Sequence, residues 1–335
     1  MMVGYEEEPQ VQGVIDLRPM DAGDVLDGTI RVYRANPWVL IGIYAVIASV
    51  PIYFQQAAGQ YFTYVTLRVM QKFADEGIEA LNALQTTDFY ASLGVMGGAL
   101  VLSFFVAPLA QAAMVYAVSE TILGRAVGVF ECIGKILPRA WTIIGAYLLL
   151  GLIVLVPYIP IVLFFTMISG DPRLYEEAFA LFIPAFILAV FVLLYIWIKL
   201  LFIPQAVVLD DVGAVRAFGR SYSLTGGYWW RIFGIYMLVV LIVGIIAGLL
   251  EQGVKIADLG FRMVPGMSEL GVAASSGVLL TMITLVIQPL TVIATTLLYY
   301  DLRVRKEGFD LLVLAASVAG EEPEKVKPFD GVPIG

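Results

Sequence analysis

Histidine is absent from this 335-residue chain, and cysteine occurs once. Without histidine there can be no Ser-His-Asp triad, no histidine-activated thiol, no H-E-x-x-H zinc site and no histidine-ligated haem. The single Cys132 excludes an intramolecular disulfide, and a lone thiol in apolar surroundings is ordinarily inert packing. No chemistry is assigned to it. Charge is scarce as well. Asp, Glu, Lys and Arg make up 14 % of the residues, against about 25 % in soluble domains. No G-x-x-x-x-G-K-[ST] or G-x-G-x-x-G phosphate loop occurs. Carboxylate-only metal or acid–base chemistry would need acids converging in a cavity. The acids fall instead in loops and tails: Glu176-Glu177 in a short outer loop and Asp210-Asp211 at an inner boundary, both read as solvated charge. The expectation is a chain that is not an enzyme and needs no cofactor or metal.

What is present is apolar. Sixty per cent of the residues are hydrophobic and the mean hydropathy is +0.88. Six stretches lack any Asp, Glu, Lys or Arg: 35–67, 89–119, 140–170, 178–198, 232–250 and 270–300. Each is near or above the ~20 residues that a helix needs to cross a ~30 Å hydrocarbon core. The expected fold is an all-α integral membrane protein with six transmembrane helices. The first 34 residues lack the apolar core of a signal peptide, so the first span is expected to be uncleaved. Lys and Arg concentrate on the side that holds both termini and the loops 120–139 and 199–231. Only Arg68, Lys72, Arg173, Lys255 and Arg262 fall on the other side. Orientation follows Lys and Arg rather than net charge, so the formal −8 does not disturb it. The location expected is the cell membrane, multi-pass, with both termini cytoplasmic.

The chain also repeats itself. Trp38-Val-Leu-Ile-Gly42-Ile-Tyr44, Trp141-Thr-Ile-Ile-Gly145-Ala-Tyr147 and Trp230-Arg-Ile-Phe-Gly234-Ile-Tyr236 share one spelling. Each opens an odd-numbered span. Each follows a segment with helical apolar spacing: Leu26, Ile30 and Tyr33; Phe130, Ile133 and Leu137; Val215, Phe218 and Tyr222. Such a basic amphipathic helix can lie in the headgroup layer or pack beneath the bundle as an elbow, and the two can coexist. The Trp reads as an interfacial anchor and the following Gly as a helix-packing contact. Pro108, Pro204 and Pro289 fall in the even-numbered spans, Pro157 and Pro160 in the third, and Pro184 in the fourth. A kinked bundle is expected, with an amphipathic helix and two spans in each of three parallel repeats, 21–124, 126–211 and 213–307. Around the membrane domain 21–310, residues 1–20 read as a flexible cytoplasmic tail. Residues 311–335 read as a short surface helix, Leu311–Val318, and a disordered end. Residues 59–90 read as a continuation of the first span or an outer cap, and 251–271 as a smaller cap.

Polar groups at membrane depth are costly, which makes them candidates for function. Gln111 and Gln288 lie deepest in the sequence pattern, and Lys199 lies near the inner end of the fourth span, where Glu120 could reach it. Inter-helix hydrogen bonds for the glutamines and a snorkelling lysine are the simpler readings. Arg31, Arg34, Arg139 and Arg220, with Lys135, Arg216 and Arg231, recur at the three elbows and are candidates for anionic headgroups. The same residues also satisfy the positive-inside rule. The partners expected are membrane lipids and, as a second class, another membrane protein; no nucleic acid is expected.

Three segments carry a resemblance: Leu17-Arg-Pro-Met-Asp-Ala-Gly-Asp-Val-Leu-Asp27, Ala217-Phe-Gly-Arg-Ser-Tyr-Ser-Leu-Thr-Gly-Gly-Tyr-Trp-Trp-Arg231 and Tyr299-Tyr-Asp-Leu-Arg-Val-Arg-Lys-Glu-Gly-Phe-Asp310. Over most of 17–310 the chain resembles the glycerophosphoryl diester phosphodiesterase membrane-domain family and its free-standing relatives. Some relatives fuse this module to a soluble phosphodiesterase barrel that uses His and Glu, and nothing here resembles that barrel. The resemblance therefore implies an association with lipid or glycerophosphodiester metabolism without the activity. Two roles follow. One is a non-enzymatic membrane module that organises lipid or a partner protein. The other is a small transporter or channel with a site between the repeats.

Overall fold

A computed structural model describes residues 18–76, 87–156, 159, 175–309 and 311, with the side chains of 76, 87–88 and 175–181 excepted. Pro157, Pro160, Arg173, the side chains of Glu176-Glu177, most of both terminal segments and part of 59–90 therefore lie outside the described residues. All regular structure among the described residues is helical. In chain order the helices are α1 (Ala22–Ala35), α2 (Pro37–Ile47), α3 (Ser49–Glu76), α4 (Thr87–Ile122), α5 (Val129–Ile136), α6 (Ala140–Leu155), α7 (Tyr175–Lys199), α8 (Ile203–Leu209), α9 (Ala214–Thr225), α10 (Trp229–Arg262) and α11 (Glu269–Glu307). A 3-10 turn, Leu137–Arg139, joins α5 to α6.

Five helical segments are long and apolar enough to cross a membrane: Phe89–Ile122, Val129–Leu155, Phe182–Leu209, Trp229–Arg262 and Glu269–Glu307. A sixth is the bent pair Pro37–Ile47 and Ser49–Asp75, whose axes differ by 69°. The uninterrupted first span expected from charge spacing is thus broken at Ala48. Pro51 explains the break. It has no N–H for the Ile47 carbonyl, and its ring clashes with that carbonyl. Pro204 does the same between α7 and α8, whereas Pro108, Pro184 and Pro289 lie inside continuous helices. On the other side, α3 runs on to Glu76 and α10 to Arg262. The first is the expected span extension; the second replaces the expected cap at 251–271 with a longer helix.

The chain divides into two compact units. One holds Leu26–Leu137 and Met237–Ala294. In it α4 packs along both α2 and α3, and α5 packs on α2 and α4. Close approach is made possible by missing side chains. A Cβ on Gly42 would lie 2.9 Å from Val129 Cγ2, and one on Gly277 would lie 2.9 to 3.0 Å from the Cβ, Cα and N of Ala57. Small residues are what lets helices approach where burial from water supplies no drive. Polar pairs join the same helices: Gln56 Nε2 donates to Thr284 Oγ1 at 3.3 Å, Tyr33 OH to the Val286 carbonyl at 3.0 Å, and Asn36 Nδ2 to Thr121 Oγ1 at 3.1 Å. Where α10 ends, Arg262 bridges Asp258 and Glu269 and lies over the Tyr64 ring. The other unit holds the described parts of Leu17–Val25, Pro138–Tyr236 and Thr295–Gly335, where α9 packs on α6, α7 and α8.

In α1, α5 and α9 the buried face lies beside the apolar stripe that the spacing picks out. Their buried faces are Val25, Thr29 and Val32; Cys132 and Ile136; and Ala217, Ser221 and Leu224. The apolar stripes lie one position from these faces: Ile30, Phe130, Leu137, Val215 and Tyr222 are exposed, while Leu26, Tyr33, Ile133 and Phe218 are half-buried.

The three Trp signatures share a burial pattern. Trp38, Trp141 and Trp230 are 82, 84 and 77 % exposed. Two positions on, Leu40, Ile143 and Ile232 are buried, as are Ile43, Ala146 and Ile235 at the fifth. The signature Gly packs closely only in the first copy, since a Cβ on Gly145 or Gly234 would meet open space.

Candidate functional site

The break before Pro204 sets up the polar chemistry of the second unit. Where α7 ends, the Lys199 carbonyl and the Phe202 amide lose their helical partners. Ser221, fully buried on α9, supplies both: its hydroxyl donates to the Lys199 carbonyl at 2.8 Å, and its Oγ accepts from the Phe202 N–H at 3.2 Å. One hydroxyl thereby satisfies a buried backbone donor and acceptor that would each be costly to leave unpaired.

Asp210, which caps α8, lies at the centre of a buried network. Its Oδ2 accepts from Arg220 Nε at 2.6 Å and from Tyr299 OH at 2.5 Å, and Arg303 Nη1 lies 3.6 Å from its Oδ1. Arg220 also grips Glu307 with both terminal nitrogens, and Arg303 Nε donates to the same carboxylate at 3.3 Å. Two acids face two arginines, so the cluster is neutral. Burial opposes the charge on Arg220, but the Glu307 hydrogen bonds and the field of Asp210 outweigh it and hold its pKa above the ordinary value. The side chain of Asp210 is 2 % exposed, which corrects its reading as solvated loop charge; Asp211 beside it is exposed.

A second cluster holds the chain's N-terminal approach. Asp301 is fully buried and accepts from the Met20 N–H at 2.7 Å, Arg231 Nη2 at 2.9 Å and Arg305 Nε at 2.9 Å. Arg231 and Arg305 also donate to the Met20 carbonyl. Met20 is therefore buried and clamped, so the flexible tail expected over 1–20 ends before it. The clamp joins all three of the segments that carry the sequence resemblance, through Met20, Arg231, and Asp301 with Arg305.

Of the predicted site residues, Arg31, Arg34, Glu120, Gln111 and Gln288 belong to the first unit, and Arg139, Arg220 and Lys199 to the second. Arg31 and Arg34 are exposed on α1, as is Arg216 on α9. Glu120 is buried and paired with Arg125 at 3.2 Å. Gln111 is half-buried, while Gln288 is exposed and bonds to the buried Tyr44 hydroxyl of the first Trp signature. Arg139 donates to the Val208 carbonyl at 3.1 Å and pairs with Asp211 at 2.8 Å. Arg139 and Arg220 are thus engaged by protein acids and are not free headgroup ligands. The Lys199 ammonium lies 4.3 Å from the Tyr222 ring centre and 5.7 Å from that of Tyr195. Among the described residues no group of three or more His, Cys, Asp or Glu converges as a metal site.

Residues 20–300 match the family described as a domain of unknown function, DUF7847. The chain belongs to this family. No curated protein and no solved structure matches it. The DUF7847 match opens at Met20, the residue held by Asp301.

Sequence reasoning missed Asp210, Tyr299, Asp301 and Glu307, and it missed Gln205. Gln205 is fully buried, its Nε2 donates to Thr295 Oγ1 at 3.2 Å, and its Oε1 has no hydrogen-bond partner. A signal for part of the network was available: Asp301–Arg305 and Arg303–Glu307 are interleaved i,i+4 pairs of opposite charge. Nothing in the sequence marked Asp210 as buried.

Proposed function

We propose that the chain is a non-enzymatic, multi-pass module of the cell membrane that organises anionic lipid around three elbows on its cytoplasmic side. In this reading it has six spans in three parallel repeats, 21–124, 126–211 and 213–307, and both termini are cytoplasmic. The observation that carries the reading is the outward face of the elbows. Ile30, Phe130, Leu137, Val215 and Tyr222 point away from the protein on helices that each lead into an exposed Trp. An exposed apolar stripe followed by an amphipathic ring is the arrangement of a helix lying at a membrane interface. Arg31, Arg34 and Arg216 are exposed on the same helices, and each such cation near an anionic leaflet contributes about 1 kcal/mol. The common burial pattern of the three Trp signatures supports the repeat. The motifs at 17–27, 217–231 and 299–310, through their resemblance to glycerophosphoryl diester phosphodiesterase membrane domains, support a link to lipid or glycerophosphodiester metabolism.

Native mass spectrometry of the protein released from membranes tests this reading, together with an assay on glycerophosphocholine with and without divalent metal. Retained anionic phospholipid and no turnover are expected. Metal-dependent hydrolysis by the purified chain, or a protein that carries no lipid, would overturn the proposal. The transporter alternative rests on Gln205, whose unpartnered Oε1 is the kind of buried acceptor a passing substrate would use. Uptake into proteoliposomes that disappears in Q205L would favour it.

A further inference from the structure

The second unit gathers two ammonium groups and an aromatic wall where α7, α9, α10 and α11 come together. Lys199 stands over Tyr222 and, at longer range, Tyr195. Lys306 lies close enough to Lys199 for their charges to act on each other. Its Nζ donates to the Ser223 carbonyl at 2.6 Å and lies 5.8 Å from the Tyr228 ring centre. Tyr195 and Tyr222 are joined through their hydroxyls, and both rings are about half exposed. Trp229 stacks on Tyr195 and donates from Nε1 to its carbonyl at 3.4 Å.

Two like charges do not gather in this way without something to neutralise them. The nearest acid in sequence, Glu307, is already held by Arg220 and Arg303. Among the described residues no carboxylate forms an ion pair with Lys199 or Lys306. Lys199 is itself buried, so water screens it poorly. The ring faces of Tyr195 and Tyr222 stabilise its charge without cancelling it. Glu307 and Arg220 act on Lys306 with opposite signs, so the positive charge of the two lysines stays unpaired beside apolar surface, at one end of a candidate span.

We infer that this cluster binds one phosphate group of an anionic phospholipid. Lys306 and the linked hydroxyls of Tyr195 and Tyr222 face the phosphate oxygens, Lys199 adds the second charge from behind the Tyr222 ring, and the exposed Trp230 borders the acyl chains. Lysine binds phosphate as a point charge, which suits a headgroup whose remaining substituents vary. The inference rests on the lipid-organising role proposed above and gives it one saturable site.

The full-length protein in detergent micelles is titrated with phosphatidylglycerol or phosphatidylcholine and read by native mass spectrometry. The wild type should hold a single phosphatidylglycerol that survives activation, and phosphatidylcholine should bind markedly more weakly. K199Q/K306Q should weaken that one site roughly twenty-five-fold, about fivefold for each lysine, while K255Q on α10 binds as the wild type does. Circular dichroism and a melting curve establish that the double variant is folded, and the single variant K306Q, on an exposed side chain, repeats the test with less risk to the fold. Competition by inorganic phosphate at millimolar concentration would support phosphate chemistry at the site with a free anion as its source. The absence of competition would support a lipid headgroup. Wild-type affinity in a folded K199Q/K306Q, or equal binding of the two lipids, overturns the inference. Bulk enrichment of anionic lipid in the same variant would leave the proposed function standing.

Discussion

Replacing Asp301 with Asn should release the N-terminal clamp. The wild-type carboxylate is fully buried and accepts three hydrogen bonds, from Met20 N–H at 2.7 Å and from Arg231 and Arg305 at 2.9 Å each. A hydrogen bond to a charged group contributes about 1.5–3 kcal/mol, so a naive sum reaches several kcal/mol. The arginines limit the loss. Both keep the Met20 carbonyl, and about a quarter of each side chain, 26 and 27 %, remains open to solvent. The low end of the ~3–5 kcal/mol for breaking a buried pair is therefore expected, about 3 kcal/mol. For a chain of this length that is a fall of roughly 6 °C in melting temperature at about 2 °C per kcal/mol. Melting in detergent micelles measures it, and limited trypsin digestion supplies a local readout. Arg18 is exposed just ahead of the clamp and should be cut faster in D301N. A variant that melts with the wild type and is cut at Arg18 no faster would refute the clamp.

Further outcomes follow from the packing and the caps. S221A removes the bridge across the break between α7 and α8 and should cost about 2–4 kcal/mol by thermal unfolding, since a buried donor and acceptor are both orphaned. G277A pushes a methyl against the Ala57 backbone and should destabilise by about 1–3 kcal/mol. G248A meets open space on α10 and should gain up to about 1 kcal/mol of helix propensity; equal melting of the two variants would contradict the close approach of α3 and α11. The Asp21 N–H, assisted by Arg18, holds the Asp24 carboxyl below its usual value of 3.8. The contribution of that turn to stability is complete above pH 3.8 and is lost as pH falls through the lowered value. A carbon-detected NMR titration of Asp24 should find a midpoint under 3.8, and a midpoint at or above it would remove the bond.

Much of the fold was legible because hydrocarbon imposes simple rules. Uncharged runs of span length located the membrane-type helices, and the Trp signatures located the starts of α2, α6 and α10 to within one residue. The failures have physical causes. Pro51 sits within an uncharged run, so charge spacing could not reveal the bend at Ala48. Apolar spacing found helices at α1, α5 and α9 but left open which face each turns to the protein, because an exposed Phe130, Leu137 or Val215 suits a membrane interface as well as a packed elbow. The site was less legible. Asp210 and Asp211 are adjacent and chemically identical, yet one is buried against Arg220 and Tyr299 while the other is open. Only the turn after α8 separates them, and its left-handed Asp211, with φ of 54°, is not encoded by any local motif. Arg220 was recognised as a cation, but its commitment to Glu307, far along the chain, depends on tertiary packing.

The central claim is that the outward faces of the elbows meet lipid. Spin labels at F130C, L137C and V215C in a C132S background test it directly, by power saturation in liposomes with oxygen and a water-soluble nickel complex. All three labels should be relaxed more by oxygen than by nickel, at a depth near the headgroup boundary. Labels relaxed chiefly by nickel, as on a helix in water, would contradict the account.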